Sequence, residues 1–207
     1  MSIGEPGFSV LFFLITELGI YMSNFSRRYQ ENTTLLNILK IISDVVIIAL
    51  AAYVIILFTC ERTNISGNSM QPVLCNGDNV MINRFSYAYT SPKRYDVIAF
   101  KTSGTGFNKI YIKRVIGVPG DKVAIIDGKV YINDEQLVDD VFTDNILTAG
   151  LAANALTLGK DEYFVLGDNR NNSEDSRFAN IGIVKKSNII GSAWLITSPV
   201  NRFGFIK

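Results

Sequence analysis

Histidine is missing from all 207 residues, which removes the commonest base of serine catalysis. A serine hydroxyl is a poor nucleophile unless a neighbouring base accepts its proton. Without an imidazole a Ser-His-Asp triad is impossible. A catalytic serine in this chain would therefore need another base, for which lysine is the best-known substitute.

Cysteine is scarce as well, because Cys60 and Cys75 are the only two. They form no Cys-x-x-Cys pair, and without histidine the chain has too few ligands for a zinc site. Composition leaves carboxylate sites for magnesium or calcium open, but no aspartate-rich calcium loop is present. Two unpaired cysteines are favoured over a disulfide, since Cys60 ends an apolar run. We expect neither a metal nor another cofactor.

An excess of charge of either sign is also lacking. Lysine and arginine number 20 and aspartate and glutamate 19, so the net charge is +1. Nucleic-acid partners are bound mainly through basic surfaces, and the balance gives no reason to expect one.

Long apolar runs are present near the N-terminus. Residues 41–60 carry a single charge, Asp44. About 20 apolar residues suffice to cross a bilayer, so this run predicts a transmembrane helix. Residues 8–24 form a shorter run that Glu17 interrupts. The shorter run is either a second span or an interfacial helix, and we favour the span.

The loop between these runs, residues 25–40, is basic. It carries Arg27, Arg28 and Lys40 against Glu31. The positive-inside rule places such a loop in the cytoplasm, and the chain after residue 60 on the opposite face. We expect a membrane anchor over residues 1–62 and an extracytoplasmic domain over residues 63–207.

After residue 63 the pattern changes to short runs of β-branched and aromatic residues between turn signals. The clearest is VAIIDGKVYIN, in which Asp127-Gly128 separates two β-prone runs and predicts a hairpin. VIAF, KIYIKRVIGV, YFVLG and SAWLIT predict further strands. No strand–helix alternation occurs, so we expect a mainly β domain with an antiparallel, barrel-like sheet. Residues 143–160 are rich in small side chains and predict an inserted loop or short helix.

Three segments of this domain carry possible chemistry. Ser69 lies in SGNSMQP, Lys113 in YIKRVIGVPGDKV, and residues 167–177 read GDNRNNSEDSR. Each segment alone is compatible with an ordinary loop or strand. Together, and in this order behind an apolar span, they closely resemble the conserved boxes of the type I signal peptidases, membrane-bound serine proteases that use a Ser/Lys dyad.

The resemblance implies a role for each matching position. Ser69 would be the nucleophile, Lys113 the general base, and Ser173 the hydroxyl that orients the lysine. Further implied are the Ser69 backbone N–H as oxyanion donor, Met70 packed near the site, and a structural pair of Asp175 and Arg177. Some members carry a serine two positions before the nucleophile as a second oxyanion donor, but Gly67 occupies that position here.

The implied function is a membrane-anchored endopeptidase that removes signal peptides after a small-x-small site through an acyl-enzyme. Its partners would be preproteins and the lipid bilayer, and we expect a monomer in the cytoplasmic membrane of a bacterium. Two alternatives stay open: a specialised Ser/Lys peptidase with one dedicated substrate, such as a pilus or conjugation protein, and a catalytically silent peptide-binding β domain.

A lysine base imposes a physical requirement. The ordinary lysine pKa is ~10.4, so the amine is protonated near neutral pH and accepts no proton. Burial against apolar surface disfavours the ammonium form, whereas a carboxylate contact would favour it. We therefore expect Lys113 to be buried, with Ser69 and Ser173 as hydrogen-bond partners and without direct contact to Asp175.

Overall fold

A computed structural model describes Thr16 and residues 33–102, 109–138 and 145–206. It divides into two compact units, Met1–Ile55 and Ile56–Lys207. The predicted second span over residues 8–24 lies outside the described residues except for Thr16, and residues 25–32 of the predicted basic loop lie outside them as well.

The first unit contains most of a long helix, α1, which covers Thr33–Thr59. Within it, the 21 residues Thr34–Val54 are long and apolar enough to cross a membrane, and none of that stretch is buried by protein. At ~1.5 Å per residue they extend for roughly 30 Å, the thickness of a bilayer's hydrocarbon core. Cys60, the last residue of the predicted span, belongs instead to a strand, because its backbone pairs with Asn83.

The second unit is built mainly of antiparallel strands, which confirms the predicted fold class. The strands are β1 (Cys60–Asn64), β2 (Asn79–Asn83), β3 (Val97–Lys101), β4 (Ile110–Gly117), β5 (Lys122–Ile126), β6 (Lys129–Ile132), β7 (Glu135–Gln136), β8 (Leu156–Thr157), β9 (Glu162–Leu166), β10 (Val184–Lys185), β11 (Ile189–Ser198) and β12 (Gly204–Phe205). A one-turn helix, α2 (Ser86–Tyr89), and three 3-10 turns (Gly150–Ala153, Lys186–Asn188 and Val200–Arg202) connect them.

Two sheets result from this pairing. The larger has the order β1-β2-β11-β3-β4-β9-β10, with β12 added to β11, and the smaller has the order β7-β6-β5-β8. The predicted hairpin is confirmed as β5–β6, and its turn residues Asp127 and Gly128 have φ angles of 49° and 75°. Such a tight turn needs positive φ at both positions, which aspartate tolerates and glycine adopts freely.

The segment over residues 143–160 differs in part from its prediction. An inserted loop or short helix was expected, and the described portion contains the 3-10 turn Gly150–Ala153, but it also contributes strand β8, whose Leu156 pairs with Val123 of β5. A two-residue strand is too short to show the period-two alternation by which strands are recognised in a sequence.

Candidate active site

Ser69 lies in the turn that joins β1 to β2. The turn is fixed at its base, because Ile65 N–H donates to Asp78 O at 2.8 Å and Gly77 N–H donates to Ile65 O at 2.9 Å. Met70 anchors it from within, with its side chain 2% exposed in an apolar cluster. The buried methionine thus holds the serine at the rim of the core.

Lys113 reaches Ser69 from strand β4. Its Nζ lies 2.7 Å from the Ser69 Oγ, and the lysine is only 4% exposed. Burial lowers the pKa of the Lys113 amine from 10.5 to about 8; nearby Lys109 also lowers it, whereas Asp175, Glu174 and Asp168 raise it. In the described part of the chain the amine forms no ion pair, and Ser69 Oγ is its hydrogen-bond partner. The neutral amine is therefore far more accessible here than in an exposed lysine.

Arg114, the next residue on β4, is buried together with an oppositely charged partner, Asp168. Its Nε and Nη2 donate to the two carboxylate oxygens of Asp168 at 2.7 and 2.8 Å. Its Nη1 donates to Tyr95 O at 2.8 Å. Successive side chains of a strand point to opposite faces, so the ion pair lies away from Lys113. It ties the start of the loop over residues 167–177 to the strand that carries the lysine.

A second buried ion pair organises the rest of that loop. Arg177 donates from Nε and Nη2 to the Asp175 carboxylate at 2.7 and 2.9 Å. The same carboxylate accepts from Gly167 N–H at 3.1 Å, and Ser176 Oγ accepts from Val165 N–H at 3.0 Å. These bonds fold the loop back onto strand β9, from which it emerges.

Gly167 lies where the loop over residues 167–177 contacts the turn that carries Ser69. A Cβ placed there would lie 2.2 Å from Ser173 Oγ and 2.5 Å from Ser69 O. Asn169 continues the contact, since its N–H donates to Ser69 O at 3.1 Å. Only glycine fits between the two serines, and its absence of a side chain lets the loop pack directly on the backbone of Ser69.

The predicted hydrogen bond between Ser173 and Lys113 is absent. The Ser173 Oγ is buried beside Gly167 and has no hydrogen-bond partner. A buried hydroxyl without a partner is unfavourable, and few remain unpaired in folded proteins. Ser173 therefore lies next to the Ser69 backbone, and its hydroxyl is available to a further partner.

A groove opens beside Ser69 and Lys113. It is lined by residues 63–70, residues 109–113, Asn172 and Glu174. Residues 110–113 of β4 pair with β3 on one edge, whereas the pairing with β9 begins only at Arg114. In the described chain no strand covers the other edge of residues 110–113, so one wall of the groove is an open strand edge.

Several residues of this arrangement escaped sequence reasoning: Gly167, Asp168, Asn169 and Arg114. Neighbouring residues of a strand point to opposite faces, so Lys113 and Arg114 diverge, but this alternation does not identify a partner for the arginine. A buried arginine needs a carboxylate, and residues 167–177 offered three candidates: Asp168, Glu174 and Asp175.

No group of three or more potential metal ligands occurs among the residues that the structure describes. Cys60 and Cys75 are not joined in a disulfide.

Comparison with known proteins places the chain in one family. The model of the family described as signal peptidase, peptidase S26, matches residues 38–197. A probable signal peptidase I-2 from Synechocystis is 34% identical over 72% of this chain and 68% of its own length. The signal peptidase I of Leptolyngbya laminosa is 37% identical over 71% and 73%. The signal peptidase I P of Bacillus subtilis subsp. natto is 30% identical over 83% and 95%.

A crystal structure of a signal peptidase I from Enterococcus faecalis also aligns with the chain. It has 33% sequence identity and a TM-score of 0.42, and it covers 51% of this chain and 98% of its own.

Proposed function

The chain belongs to the signal peptidase family, peptidase S26, and we propose that it cleaves signal peptides from exported preproteins with Ser69 and Lys113 as a catalytic dyad. The observation that carries this proposal is the distance of 2.7 Å between Lys113 Nζ and Ser69 Oγ, with the amine buried and without a carboxylate partner. A neutral amine at hydrogen-bond distance from a hydroxyl is the arrangement that general-base catalysis requires.

The first chemical step follows from this geometry. Ser69 Oγ attacks the carbonyl carbon of the scissile peptide bond while its proton passes to Lys113 Nζ. The resulting ammonium then donates that proton to the leaving amine as the bond breaks, which leaves an ester on Ser69. Water, deprotonated by the same amine, hydrolyses the ester and restores the serine.

The oxyanion of each tetrahedral intermediate needs a donor close to the serine. Ser69 N–H donates to no acceptor among the described residues, so it is available for this purpose. A backbone donor of this kind typically contributes about 10²–10³-fold to the rate. Gly67 offers no hydroxyl, so a side-chain donor from that position is excluded.

The loop over residues 167–177 supports the dyad. We assign Asp175 and Arg177 the role of holding the loop, and Ser173 that of orienting the lysine once substrate is bound. The buried side chain of Met70 holds the turn that carries Ser69. The Ser173 Oγ lies beside Gly167 without a hydrogen-bond partner, so the orienting role requires its hydroxyl to turn towards the Lys113 amine.

The open edge of β4 indicates how a peptide would bind. An extended segment can pair with the free backbone of residues 110–113, which adds a strand to the sheet and presents alternate side chains to the groove. A small-x-small cleavage motif matches such alternate pockets, because residues one and three before the cut point to the same side.

Membrane anchoring by α1 suits this substrate class. Ser69 follows Cys60 by nine residues, which span at most ~32 Å when extended. Signal peptides present their cleavage site just after a membrane-inserted apolar segment. We place the second unit on the extracytoplasmic face of a bacterial cytoplasmic membrane, as a monomer, with the anchor ending near residue 62.

Cleavage assays test the proposal. The full chain, Ser69→Ala and Lys113→Ala are reconstituted in liposomes and given several unrelated preproteins, and products are identified by mass. Wild type should cleave all of them after small-x-small sites, and both variants should lose activity. Retained activity in either variant would overturn the site assignment, and cleavage of a single preprotein would indicate a specialised peptidase.

The orienting role of Ser173 has its own test. Ser173→Ala should reduce kcat about 10-fold or more and leave the free energy of unfolding unchanged or higher, because the hydroxyl has no partner to lose. Ser173→Thr, which retains a hydroxyl, is the control. Equal kcat in Ser173→Ala and wild type would remove the serine from the mechanism.

A further inference from the structure

The groove beside Ser69 and Lys113 is lined by two further charged residues. One is Lys109, which directly precedes β4, and the other is Glu174, in the loop over residues 167–177. The remaining described residues of its lining are uncharged. Glu174 is thus the one carboxylate that a peptide meets in the described part of the groove.

The Glu174 carboxylate is available to a ligand. The residue is exposed, and among the described residues it takes part in no hydrogen bond and no ion pair. Its neighbour Asp175, by contrast, is buried and accepts from Arg177 Nε at 2.7 Å. Two adjacent carboxylates of one loop therefore differ, because one stabilises the loop and the other can meet a partner from outside the chain.

Glu174 lies at the end of the groove that holds the nucleophile. A Cβ at Gly167 would lie 2.2 Å from Ser173 Oγ and 2.5 Å from Ser69 O, so the residue before Glu174 lies against the backbone of the nucleophile. Burial has the largest effect on the pKa of Lys113 and lowers it, whereas Glu174 raises it. The Glu174 carboxylate is therefore within electrostatic reach of the dyad.

Lys109 belongs to the opposite end of the groove. It precedes Lys113 by four residues, about 13 Å along an extended strand. Its Nζ lies 4.8 Å from the centre of the Tyr111 ring, and Tyr111 shares the groove lining with it. The groove thus has a positive end where β4 begins and a negative end beside Ser69.

The direction of a bound peptide decides which of its residues meets Glu174. The scissile carbonyl must lie at Ser69 Oγ, beside Lys113. The free edge of β4 runs from Lys113 back to Ile110, and β9 covers the edge from Arg114 onward. Pockets for the residues one and three before the cut must lie in the groove, so this part of the peptide follows the free edge. The leaving segment then extends beyond Lys113.

The register of an extended peptide identifies the residue concerned. Successive side chains point to opposite sides, so the second residue after the cut shares the side of the residue just before the cut. It is the first residue of the leaving segment that points back into the groove, at the end that Glu174 lines. By the same spacing, the fifth residue before the cut lies beside Lys109.

We propose that Glu174 determines which charge the substrate carries at the second residue after the cut, favouring lysine or arginine and disfavouring aspartate or glutamate. This preference rests on the proposed function, because the cleaved bond defines the two sides of the peptide. Attraction or repulsion between exposed charges changes affinity by a few-fold and weakens with salt. Glu174 acts on the substrate alone and takes no part in proton transfer.

Three soluble peptides that differ only at the second residue after the cut test the preference. They carry lysine, glutamine or glutamate there and are cleaved by the full chain in detergent. At low ionic strength kcat/KM should be about fivefold higher for the lysine peptide than for the glutamate peptide, and the ratio should approach 1 at high salt. Glu174→Gln should lower the ratio to about 1 or below, and Glu174→Lys should invert it.

The ratio cancels any effect of these variants on the titration of Lys113, because both peptides meet the same free enzyme. Glu135→Gln and Glu135→Lys are matched controls, since Glu135 is exposed in β7 of the smaller sheet, and they should keep the wild-type ratio. Lys109→Gln should act instead on charges at the fifth residue before the cut.

Equal cleavage of the lysine and glutamate peptides by wild type would overturn the proposal, as would a ratio that Glu174→Lys leaves unchanged. A change of the same size in Glu135→Lys or Lys109→Gln would also overturn it, because the preference would then come from the overall charge of the protein or groove.

Peptide binding to Ser69→Ala separates the charge preference from the proposed function. Fluorescence anisotropy of labelled peptides should give a several-fold lower Kd for the lysine peptide than for the glutamate peptide, and Glu174→Lys in the same background should reverse the order. Failure of wild type to cleave any of the peptides would refute the proposed function, and the Kd values would still decide the preference. Equal Kd values in that case would refute the preference as well.

Discussion

Lys113 and Arg114 are neighbours on β4, yet the two faces of the strand give them opposite electrostatic environments. Arg114 is 2% exposed and meets both oxygens of Asp168. Lys113 is 4% exposed and meets the hydroxyl of Ser69. Arginine does not deprotonate in proteins, so its burial requires a carboxylate, whereas lysine can lose its proton when buried without one. The same strand thus keeps one cation charged for structure and lowers the pKa of the other to about 8, where it can lose its proton.

The sharpest way to separate the two faces is to replace each cation with methionine, which has a similar shape and no charge. Lys113→Met should lower kcat/KM by about 10⁴-fold, because no base is left for Ser69. Its free energy of unfolding at neutral pH should be unchanged or higher, since a buried amine has been removed. Thermal unfolding and peptide cleavage in detergent measure both quantities.

Lys122→Met is the control for Lys113→Met, because this lysine is 44% exposed and pairs with Asp134 on the surface. It should retain wild-type activity. A marked loss of stability in Lys113→Met would show that the lysine is structural and would count against the comparison.

Arg114→Met should produce the opposite pattern. The Asp168 carboxylate would remain buried without its partner, which typically costs about 3–5 kcal/mol of unfolding free energy. Chemical denaturation would measure the loss. Arg114→Met/Asp168→Leu should recover much of it, because an apolar pair of similar volume needs no charge partner. A loss below ~1 kcal/mol in the single variant would contradict this account of the buried pair.

Gly167→Ala tests the contact between the loop over residues 167–177 and the turn that carries Ser69. Its expected effects on stability and activity are smaller. The added methyl group would collide with Ser173 Oγ and with Ser69 O. Overpacking of this kind costs about 1–3 kcal/mol, and a displacement of ~1 Å at the nucleophile can reduce kcat about 100-fold. Gly204→Ala is the matched control, since nothing lies within 4 Å of a Cβ there. Equal kcat in the two variants would show that this contact does not position Ser69.

Much of this fold was predictable from local patterns. The β5–β6 hairpin followed from Asp127-Gly128 between two β-prone runs, and the strands around Lys113 and after Asp161 followed from their composition. The long helix was evident from its apolar run, although its end was placed one residue into β1. That limit depends on the pairing of Cys60 with Asn83, a contact between residues 23 positions apart. The end of the helix is therefore not predictable from the apolar run alone.

The site shows the same division. The residues of the proposed dyad could be named from their motifs, and the expected burial of Lys113 followed from the need for a neutral amine. The contact at Gly167 could not be foreseen, because it depends on how closely the loop approaches the backbone of Ser69. The missing hydrogen bond of Ser173 could not be foreseen either, since it depends on the position of its hydroxyl beside Gly167, where it has no partner.

The smallest expected effects concern the pH dependence of cleavage, which tests whether Lys113 titrates as its environment on β4 predicts. The pKa of Lys113 is lowered to about 8, so kcat/KM should rise with pH through that value as the amine loses its proton. Four charged groups contribute to this pKa electrostatically: Asp175 and Asp168, both held in ion pairs, and the exposed Lys109 and Glu174. Lys109 and Glu174 are both exposed, so each can be replaced without breaking a buried contact.

Lys109→Gln removes a like charge, so the midpoint of the pH profile should move up. Glu174→Gln removes an opposite charge, so the midpoint should move down, and both shifts should shrink at high salt because exposed charges are screened. Lys122→Gln, a charge change on the smaller sheet, should leave the midpoint in place. A midpoint near the ordinary lysine value of 10.5, or shifts of the reversed sign, would mean that the group titrating in the profile is not Lys113.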